Sequence, residues 1–336
     1  MVLATAACTG VGGPVPGAPA HHREHGFVNV NPEYARPPFW TRTRFFIARI
    51  WSTTFTPRRA DLPRVTNDGA ALRANGTAPT VTWIGHATLL LQLEGVNVLT
   101  DPQWSERASP VRFAGPRRFM PPGVAFEDLP PIHVVLISHD HFDHLDLTTV
   151  KRLAAVHHPR FYVPLGYRAW FAEAGITDVV ELDWWDSRSE RGLTLTCVPV
   201  QHWTARSFGA ENRRLWSGWV IAGSSRRVFF AGDTGYYAPH FKEIGTRLGP
   251  FDLAAVSIGA YQPSAIMRFS HTTPEQALQI FDDVGARRFM AMHWGTFDLS
   301  DEPLDEPPQR LRAEASRRGL DPARVWVFAH GETRAW

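Results

Sequence analysis

The stretch that most constrains the fold is 137-ISHDHFDHLD-146, which continues the apolar run 132-IHVVLI-137. A short apolar run of this kind indicates a buried strand, so the polar residues behind it would occupy a loop at the strand's end. Three histidines and three aspartates lie within these ten residues. Imidazole and carboxylate together suit zinc, iron or manganese. The stretch therefore predicts a metal site at the end of a strand.

Candidate ligands also stand at the ends of later strand-like runs. The first group comprises His139, His141, Asp143 and His144. The later candidates are His202 in 200-VQHW-203, Asp233 in 230-FAGDTGY-236 and His293 in 291-AMHWGTF-297. These donors outnumber the four that a single tetrahedral zinc ion takes. The pattern favours two metal ions held where several strands converge.

Short strand-like runs follow one another from about residue 79, and helix-like stretches such as 147–156 and 274–285 alternate with them. This alternation predicts the α/β (α+β) class. We expect residues 79–336 to form the catalytic domain and residues 27–78 to form an N-terminal extension packed on it.

Residues 1–26 are rich in Gly, Pro and Ala, which predicts a leader or linker. Within them, 2-VLATAACTG-10 resembles the end of a bacterial lipoprotein signal with Cys8 as the lipidated residue. Such a lipoprotein would lie in the periplasm or cell envelope. The alternative is that the segment is not a lipoprotein signal and that the protein is cytoplasmic and binds a membrane peripherally. The histidines of 21-HHREH-25 could bind a metal ion adventitiously, but we expect them to be solvated.

The segment 39-FWTRTRFFIARIWSTTF-55 is predicted to be a basic, aromatic helix. Such a helix can lie on a membrane surface, and the alternative is that it only packs on the main domain. The candidate lipid contacts are Phe39, Trp40, Phe46, Ile50 and Trp51.

The charge balance argues against one class of partner. The formal net charge is only +2, and the sequence has no basic arm. Nucleic-acid binding normally needs a strongly basic surface, so we do not expect a nucleic-acid partner.

The order of the candidate ligands, H-x-H-x-D-H, then His, then Asp in G-D-T-G, then His, resembles the metallo-β-lactamase superfamily. The motifs 81-VTWIGHATLLLQ-92, 181-ELDWW-185 and 249-GPFDLAAVSIGAYQP-263 are similar to one branch, the N-acylphosphatidylethanolamine-hydrolysing phospholipase D family, and this likeness covers about nine-tenths of the chain. The resemblance implies a four-layered αβ/βα sandwich with two zinc ions at one edge of the sheets.

The resemblance also implies a distribution of the ligands. One ion would be held by His139, His141 and His202, and the other by Asp143, His144 and His293. Asp233 would bridge the two ions.

Other residues receive supporting roles from the same resemblance. Asp101, which closes 96-VNVLTD-101, would orient a ligand imidazole, and His86 in 85-GHAT-88 would make a structural hydrogen bond. His271 in 267-MRFSHTTPEQA-277 matches a family histidine near the site. It would act in catalysis together with Asp143 and Asp233.

The implied reaction is the hydrolysis of N-acylphosphatidylethanolamine, or a related glycerophospholipid, to phosphatidic acid and an N-acylethanolamine by a hydroxide that bridges two zinc ions. Iron or manganese would suit the same ligands. The partners would be a phospholipid substrate and a membrane surface, with a monomer and a homodimer both open. A lactonase or sugar-phosphate hydrolase of this fold, and a non-catalytic lipid-binding protein with structural zinc, stay open as alternatives. A redox iron site is disfavoured because such relatives usually carry Glu at the position of His141.

Overall fold

The computed structural model describes residues 10–207 and 209–336, so the predicted lipidation site Cys8 lies outside the described residues. The described chain begins with a two-stranded antiparallel hairpin, β1 (His22–Arg23) and β2 (Gly26–Phe27). Two seven-stranded sheets then form the body of the protein.

The first sheet has the strand order β16-β3-β4-β5-β6-β7-β8, and β5 to β8 run parallel. Its strands are β3 (Thr80–Gly85), β4 (Thr88–Leu93), β5 (Val96–Thr100), β6 (Val134–Leu136), β7 (Arg160–Pro164), β8 (Val179–Leu182) and β16 (Thr333–Ala335).

The second sheet has the order β15-β14-β13-β12-β11-β10-β9, and β12 to β15 run parallel. Its strands are β9 (Ser187–Glu190), β10 (Leu193–Val198), β11 (Gly218–Ala222), β12 (Arg227–Phe230), β13 (Phe251–Ser257), β14 (Ala286–Met292) and β15 (Val325–Trp326). Because β11 is antiparallel to both of its neighbours, β10 points the same way as β12.

Helices flank the sheets, and two short 3₁₀ turns lie at Phe126–Asp128 and Pro322–Arg324. The α-helices are α1 (Phe39–Phe55), α2 (Ala70–Ala74), α3 (Leu147–Val156), α4 (Arg168–Glu173), α5 (Ala238–Leu248), α6 (Ser264–Met267), α7 (Pro274–Asp283) and α8 (Glu306–Arg317). The predicted helix at 39–55 matches α1, and the one at 147–156 matches α3.

Alternating side chains divide each strand between two cores. On β4, Leu89 and Leu91 face the core between the sheets, whereas Leu90 belongs to an outer core with Val150 and Leu153 of α3. Residues of α5, α7 and α8 pack on the second sheet. Side chains that alternate in a strand point to opposite faces, so a sheet with two apolar faces needs cover on both. The structure confirms the α/β (α+β) class and the αβ/βα sandwich.

One expectation for the N-terminal segment is wrong. His21 is buried rather than solvated, and its neighbour His22 is half-buried. Both rings contact Asp183, which directly follows β8. A carboxylate more than 160 residues away therefore draws these histidines out of solvent.

Helix α1 buries little of its own surface. Of its side chains only Thr53 is buried, while Trp40 and Trp51 are 72% and 66% exposed. Arg42 and Arg49 hold the helix to the domain through ion pairs with Glu211 and Asp298. Among the described residues, no helix combines the length and the apolar character needed to cross a bilayer.

Trp219 ties the two sheets together beside the predicted metal loop. Its buried indole N–H on β11 donates to the carbonyl of Ile137, one residue beyond β6, at 2.9 Å. We expect Trp219→Phe to destabilise the protein by about 1–3 kcal/mol, because the buried carbonyl loses its partner. Urea denaturation would measure this loss. Trp40→Phe, on the exposed surface, is the matched control, and equal stability of the two variants would refute this role for Trp219.

Candidate metal centre

The candidate ligands lie where several strands end at one edge of the molecule. Residues 139–144 follow β6 of the first sheet. In the second sheet His202 follows β10, Asp233 follows β12 and His293 follows β14, three strands that point the same way. The carboxyl ends of such strands meet at a common edge, where α/β proteins place their sites.

A one-turn loop gathers the ligands of the first group. The backbone N–H of Leu145 donates to the carbonyl of His141 at 2.8 Å, which curls the chain behind β6. His141 Nδ1 then lies 2.9 Å from His139 Nε2 and 3.3 Å from His202 Nε2. These three imidazoles form a compact cluster, and it matches the three predicted ligands of one ion.

The second group surrounds the carboxylate of Asp143. Asp143 Oδ2 lies 3.4 Å from His144 Nε2, 3.5 Å from His293 Nε2 and 2.8 Å from His86 Nε2. The structure therefore brings together the three predicted ligands of the other ion. His86 lies within hydrogen-bond distance of Asp143, and it belongs to the same group of side chains that could hold an ion.

Asp233 stands between the two groups. Its Oδ2 is 3.0 Å from His293 Nε2 and 3.2 Å from His144 Nε2 on one side. On the other side it is 3.9 Å from His202 Nε2 and 4.0 Å from His139 Nε2. This is the position that a bridging carboxylate would occupy.

Three of the candidate ligand histidines are oriented by partners at Nδ1. The ring N–H of His144 donates to Asp101 Oδ2 at 2.7 Å, that of His139 to Ser138 Oγ at 2.9 Å and that of His202 to the Ser270 carbonyl at 2.8 Å. Ser138 Oγ donates in turn to Asp101 Oδ2. A proton fixed on Nδ1 leaves the Nε2 lone pair free to face the centre. Asp101 thus contacts one of the candidate ligands, His144.

The hydrogen-bond pattern fits metal ions. In the first group, the lone pairs of His139 Nε2 and His202 Nε2 both point at His141 Nδ1, and one proton on that atom cannot satisfy both. In the second group, His144 Nε2 and His293 Nε2 are buried within 3.0–3.5 Å of the carboxylates of Asp143 and Asp233, but in a geometry that makes no hydrogen bond. Buried polar atoms left without partners are costly, and divalent ions would satisfy both groups.

The electrostatics of the centre point the same way. Burial lowers the pKa of His139 well below its usual value, and the neighbouring imidazoles of His144 and His141 lower it further. Burial alone would raise the pKa of Asp233, but the charges on His293 and His144 reverse this and hold the pKa well below its usual range. Burial opposes the protonation of His293, yet Asp233 and Asp143 raise its pKa to about 9. The carboxylates thus favour positive charge at the position that a cation would occupy.

Gly232, the residue before Asp233 in the G-D-T-G motif, occupies a position that requires glycine. Its φ is +59°, and a Cβ at this position would lie only 2.6 Å from Ser138 Cβ. Only glycine accepts both the left-handed backbone and this close approach at low cost. The contact brings the end of β12 against the loop behind β6, so it helps to set the distance between the two ligand groups.

A cavity of about 480 Å³ leads from the surface to the centre. His141, Asp143, Asp233 and His271 line it at the centre. Its other walls are largely apolar, with three arginines among them: Phe46, Ile50, Trp203, Ile266, Met267, Phe269, Arg36, Arg42 and Arg49. His271 Nδ1 is buried without a partner, 3.7 Å from Asp233 Oδ2.

The predicted lipid contacts of α1 fall into two groups, those that line the cavity and those that lie outside it. Phe46 and Ile50 line the cavity, whereas Phe39, Trp40 and Trp51 are exposed outside it.

Sequence reasoning missed several residues of the cavity wall. Arg36, Trp203 and Phe269 were not singled out, and Arg42 and Arg49 entered only as part of the basic character of the helix predicted at 39–55. The one available signal for Trp203 was its position next to His202.

Comparison with known proteins agrees with this geometry. A profile of the beta-lactamase superfamily domain matches residues 96–294. The chain is 43% identical, over 69% of its length and 68% of the relative's, to N-acyl-phosphatidylethanolamine-hydrolyzing phospholipase D 1 of Caenorhabditis elegans. It is 42% identical to an uncharacterized protein of Mycobacterium tuberculosis, over 88% of this chain and 79% of that one.

The chain belongs to the metallo-β-lactamase superfamily and, within it, to the family of the N-acyl-phosphatidylethanolamine-hydrolyzing phospholipases D.

Among solved structures, Igni18, a metallo hydrolase from the archaeon Ignicoccus hospitalis, superposes with a TM-score of 0.59 at 20% identity and covers 77% of this chain and 99% of its own. That likeness concerns the fold. Together with family membership and the clustered His and Asp side chains, it identifies a metal-dependent hydrolase of the metallo-β-lactamase superfamily.

The role of Asp101 in this hydrolase can be measured as metal affinity. We expect Asp101→Asn to weaken metal binding by about 10–100-fold, because an amide cannot accept all the hydrogen bonds that the carboxylate receives from His144 and Ser138. Competition with a chromophoric chelator measures the affinity. The matched control is Asp252→Asn, near the opposite end of β13 from the centre. Unchanged affinity in Asp101→Asn would show that the contact does not orient a ligand.

Proposed function

We propose that the protein is a zinc-dependent phosphodiesterase of phospholipase D type, which hydrolyses N-acylphosphatidylethanolamine or a related glycerophospholipid to phosphatidic acid and an N-acylethanolamine. The observation that carries the proposal is the cavity, because its apolar walls lead directly to the carboxylates of Asp143 and Asp233. An anionic phosphodiester with long acyl chains matches such a path.

The cavity walls favour a lipid over a small polar substrate. Phe46, Ile50, Ile266, Met267 and Phe269 present side chains that gain free energy by contact with acyl chains. A sugar phosphate would leave its hydroxyl groups facing these walls without hydrogen-bond partners, which is unfavourable. The relative from Caenorhabditis elegans, by its name, acts on a lipid of the proposed class.

The metal centre would stabilise the charge of the phosphoryl group. Two divalent ions, when bound, act as Lewis acids toward phosphoryl oxygens and lower the pKa of water. Asp233 lies between the two ligand groups. Its carboxylate would offset part of the charge of the two ions and fix the distance between them. Asp143 or Asp233 would accept the proton of the attacking water, since both line the cavity.

His271 lines the cavity and would contact the substrate. Burial lowers its pKa to about 4 although Asp233 opposes the shift, so the ring is neutral at neutral pH. A neutral imidazole donates one hydrogen bond, and Nδ1 lacks a partner. We assign His271 to hydrogen bonding with a phosphoryl oxygen or with the oxygen of the leaving alkoxide.

The substrate assignment is tested with purified protein and N-acylphosphatidylethanolamine in mixed vesicles, with products identified by mass spectrometry. We expect release of N-acylethanolamine and phosphatidic acid, loss of activity with a chelator and recovery with zinc. Asp233→Asn should lower kcat by about 100-fold or more, because it removes a carboxylate that would accept the proton of the attacking water. His133→Gln, at the opposite end of β6, serves as the control.

Two results would count against this proposal. If the metal-replete protein releases no N-acylethanolamine but opens small lactones or cleaves sugar phosphates, the substrate class is wrong. If Asp233→Asn and the unmodified protein bind lipid equally and neither hydrolyses it, the protein is a lipid-binding protein with structural metal.

We also propose that α1 and the neighbouring loop rest on a membrane surface beside the cavity. Trp40, Ile47, Trp51 and Phe55 are 63–72% exposed on α1, and Phe113 is 78% exposed on a loop that α1 contacts. That contact is the backbone N–H of Gly115, which donates to Thr54 Oγ1 at 2.9 Å. Exposed apolar side chains grouped in this way are typical of an interaction surface, and the exposed Arg44 on α1 and Arg112 beside Phe113 in sequence suit anionic head groups.

The membrane contact is tested by vesicle co-sedimentation. We expect Trp40→Ala combined with Trp51→Ala to weaken binding to anionic phosphatidylglycerol vesicles by about tenfold or more, because each side chain withdraws a large apolar area from lipid. Val156→Ala, exposed on α3, should bind like the unmodified protein. Unaltered binding of the double variant would exclude α1 as the contact.

A further inference from the structure

A second cluster of ligand-type side chains joins the N-terminal hairpin to the end of β8. His21 Nε2 lies 2.7 Å from Asp183 Oδ1, and His22 Nε2 lies 2.7 Å from Asp183 Oδ2. All three donor atoms lie within 4.8 Å of one another. The cluster shares no residue with the metal centre already described.

Packing fixes the two imidazoles in this arrangement. The His21 ring stacks on Trp184 with centroids 4.1 Å apart, and Trp184 is held by a hydrogen bond from its indole to the Trp216 carbonyl at 2.7 Å. The His22 ring meets Phe27 edge-on at 5.2 Å. His21 precedes β1 and His22 is its first residue, and the two side chains converge on one carboxylate. Ligands that are held in place before binding lose little entropy when an ion arrives.

The charge and exposure of the cluster suit a divalent cation. The Asp183 carboxylate contributes one negative charge, and the carboxylate of Asp186 lies close enough to accept from the Asp183 backbone N–H at 3.1 Å. The side chains of His22 and Asp183 are 23% and 19% exposed, so an ion could enter from solvent. Two imidazole nitrogens and a carboxylate oxygen form a ligand set typical of zinc with one open position.

We propose that His21, His22 and Asp183 bind a further zinc ion, separate from the catalytic centre. The ion would be held by Nε2 of each histidine and by the carboxylate, with water at the remaining position. Its ligands come from the N-terminal hairpin and from the loop behind β8, so binding would fasten the hairpin to the first sheet.

The fastened hairpin leads directly into one wall of the cavity. Asn29 Nδ2 donates to the carbonyl of His202 at 2.7 Å, and Asn31 Nδ2 donates to Gln201 Oε1 at 2.6 Å. Tyr34 and Arg36 then line the cavity. The ion would therefore anchor the chain just before it reaches the catalytic centre, although its binding does not depend on what that centre hydrolyses.

The proposal is tested by counting metal ions. Tag-free protein, its variants His22→Gln and Asp183→Asn, and the control His25→Ala are dialysed against buffered micromolar zinc and analysed by mass spectrometry of the elements. His25 is the exposed histidine of the same pentapeptide. We expect the unmodified protein and His25→Ala to carry one ion more than either cluster variant.

A second measurement identifies the ligands. When cobalt replaces zinc, the difference spectrum between His25→Ala and His22→Gln should contain the visible absorption of one cobalt ion with nitrogen and oxygen ligands. Thermal unfolding shows whether both variants are folded before the ions are counted. Equal ion counts in all folded forms, with a flat difference spectrum, would overturn the proposal and leave a clamp made of hydrogen bonds only.

Discussion

The structure depends on one constraint, which is that imidazole and carboxylate groups are buried together where strands from two sheets end. Without cations, the lone pairs of His139 and His202 compete for one partner at His141, and Asp233 has to be balanced by charge on His144 and His293. Arrangements of this kind are unfavourable in a protein interior unless something of opposite charge fills them. Metal binding would turn this cost into a contribution to folding, since the site is assembled only in the folded chain.

The scaffold around the centre makes the ligands rigid. Asp101 receives hydrogen bonds from the Ser138 backbone, the Ser138 hydroxyl and the His144 ring, so one carboxylate fixes both the loop backbone and a ligand. Trp219 and Gly232 join the two sheets next to this loop, because Trp219 contacts Ile137 and Gly232 lies against Ser138. A ligand loop held from several directions keeps its geometry while substrate enters and leaves, which is what precise positioning requires.

Much of the centre could be predicted from sequence, because its ligands follow strands whose apolar runs are visible and whose ends share one edge. Helix α1 was predictable for a similar reason, since its boundaries show in local composition. The burial of His21 and His22 was not predictable, because the residue that both rings contact is Asp183, far along the chain. The contacts of Arg42 and Arg49 could not be predicted for the same reason, because their partners Glu211 and Asp298 lie far along the chain. Ion pairs between distant segments leave no periodic signal.

Helix α1 reverses the usual order of an amphipathic helix, in which apolar residues face the protein and charged residues face water. Arg49 is 12% exposed against an almost fully buried Asp298, whereas Trp40 and Trp51 lie largely in solvent. Ion pairs taken out of water gain little net free energy, so this arrangement gives the isolated protein little benefit. It becomes favourable where a second apolar phase covers the tryptophans. On the proposed membrane contact, a bilayer would cover them and would leave the cavity beside Phe46 and Ile50 open to lipid, so that the arginines would anchor the helix while the tryptophans would contact lipid.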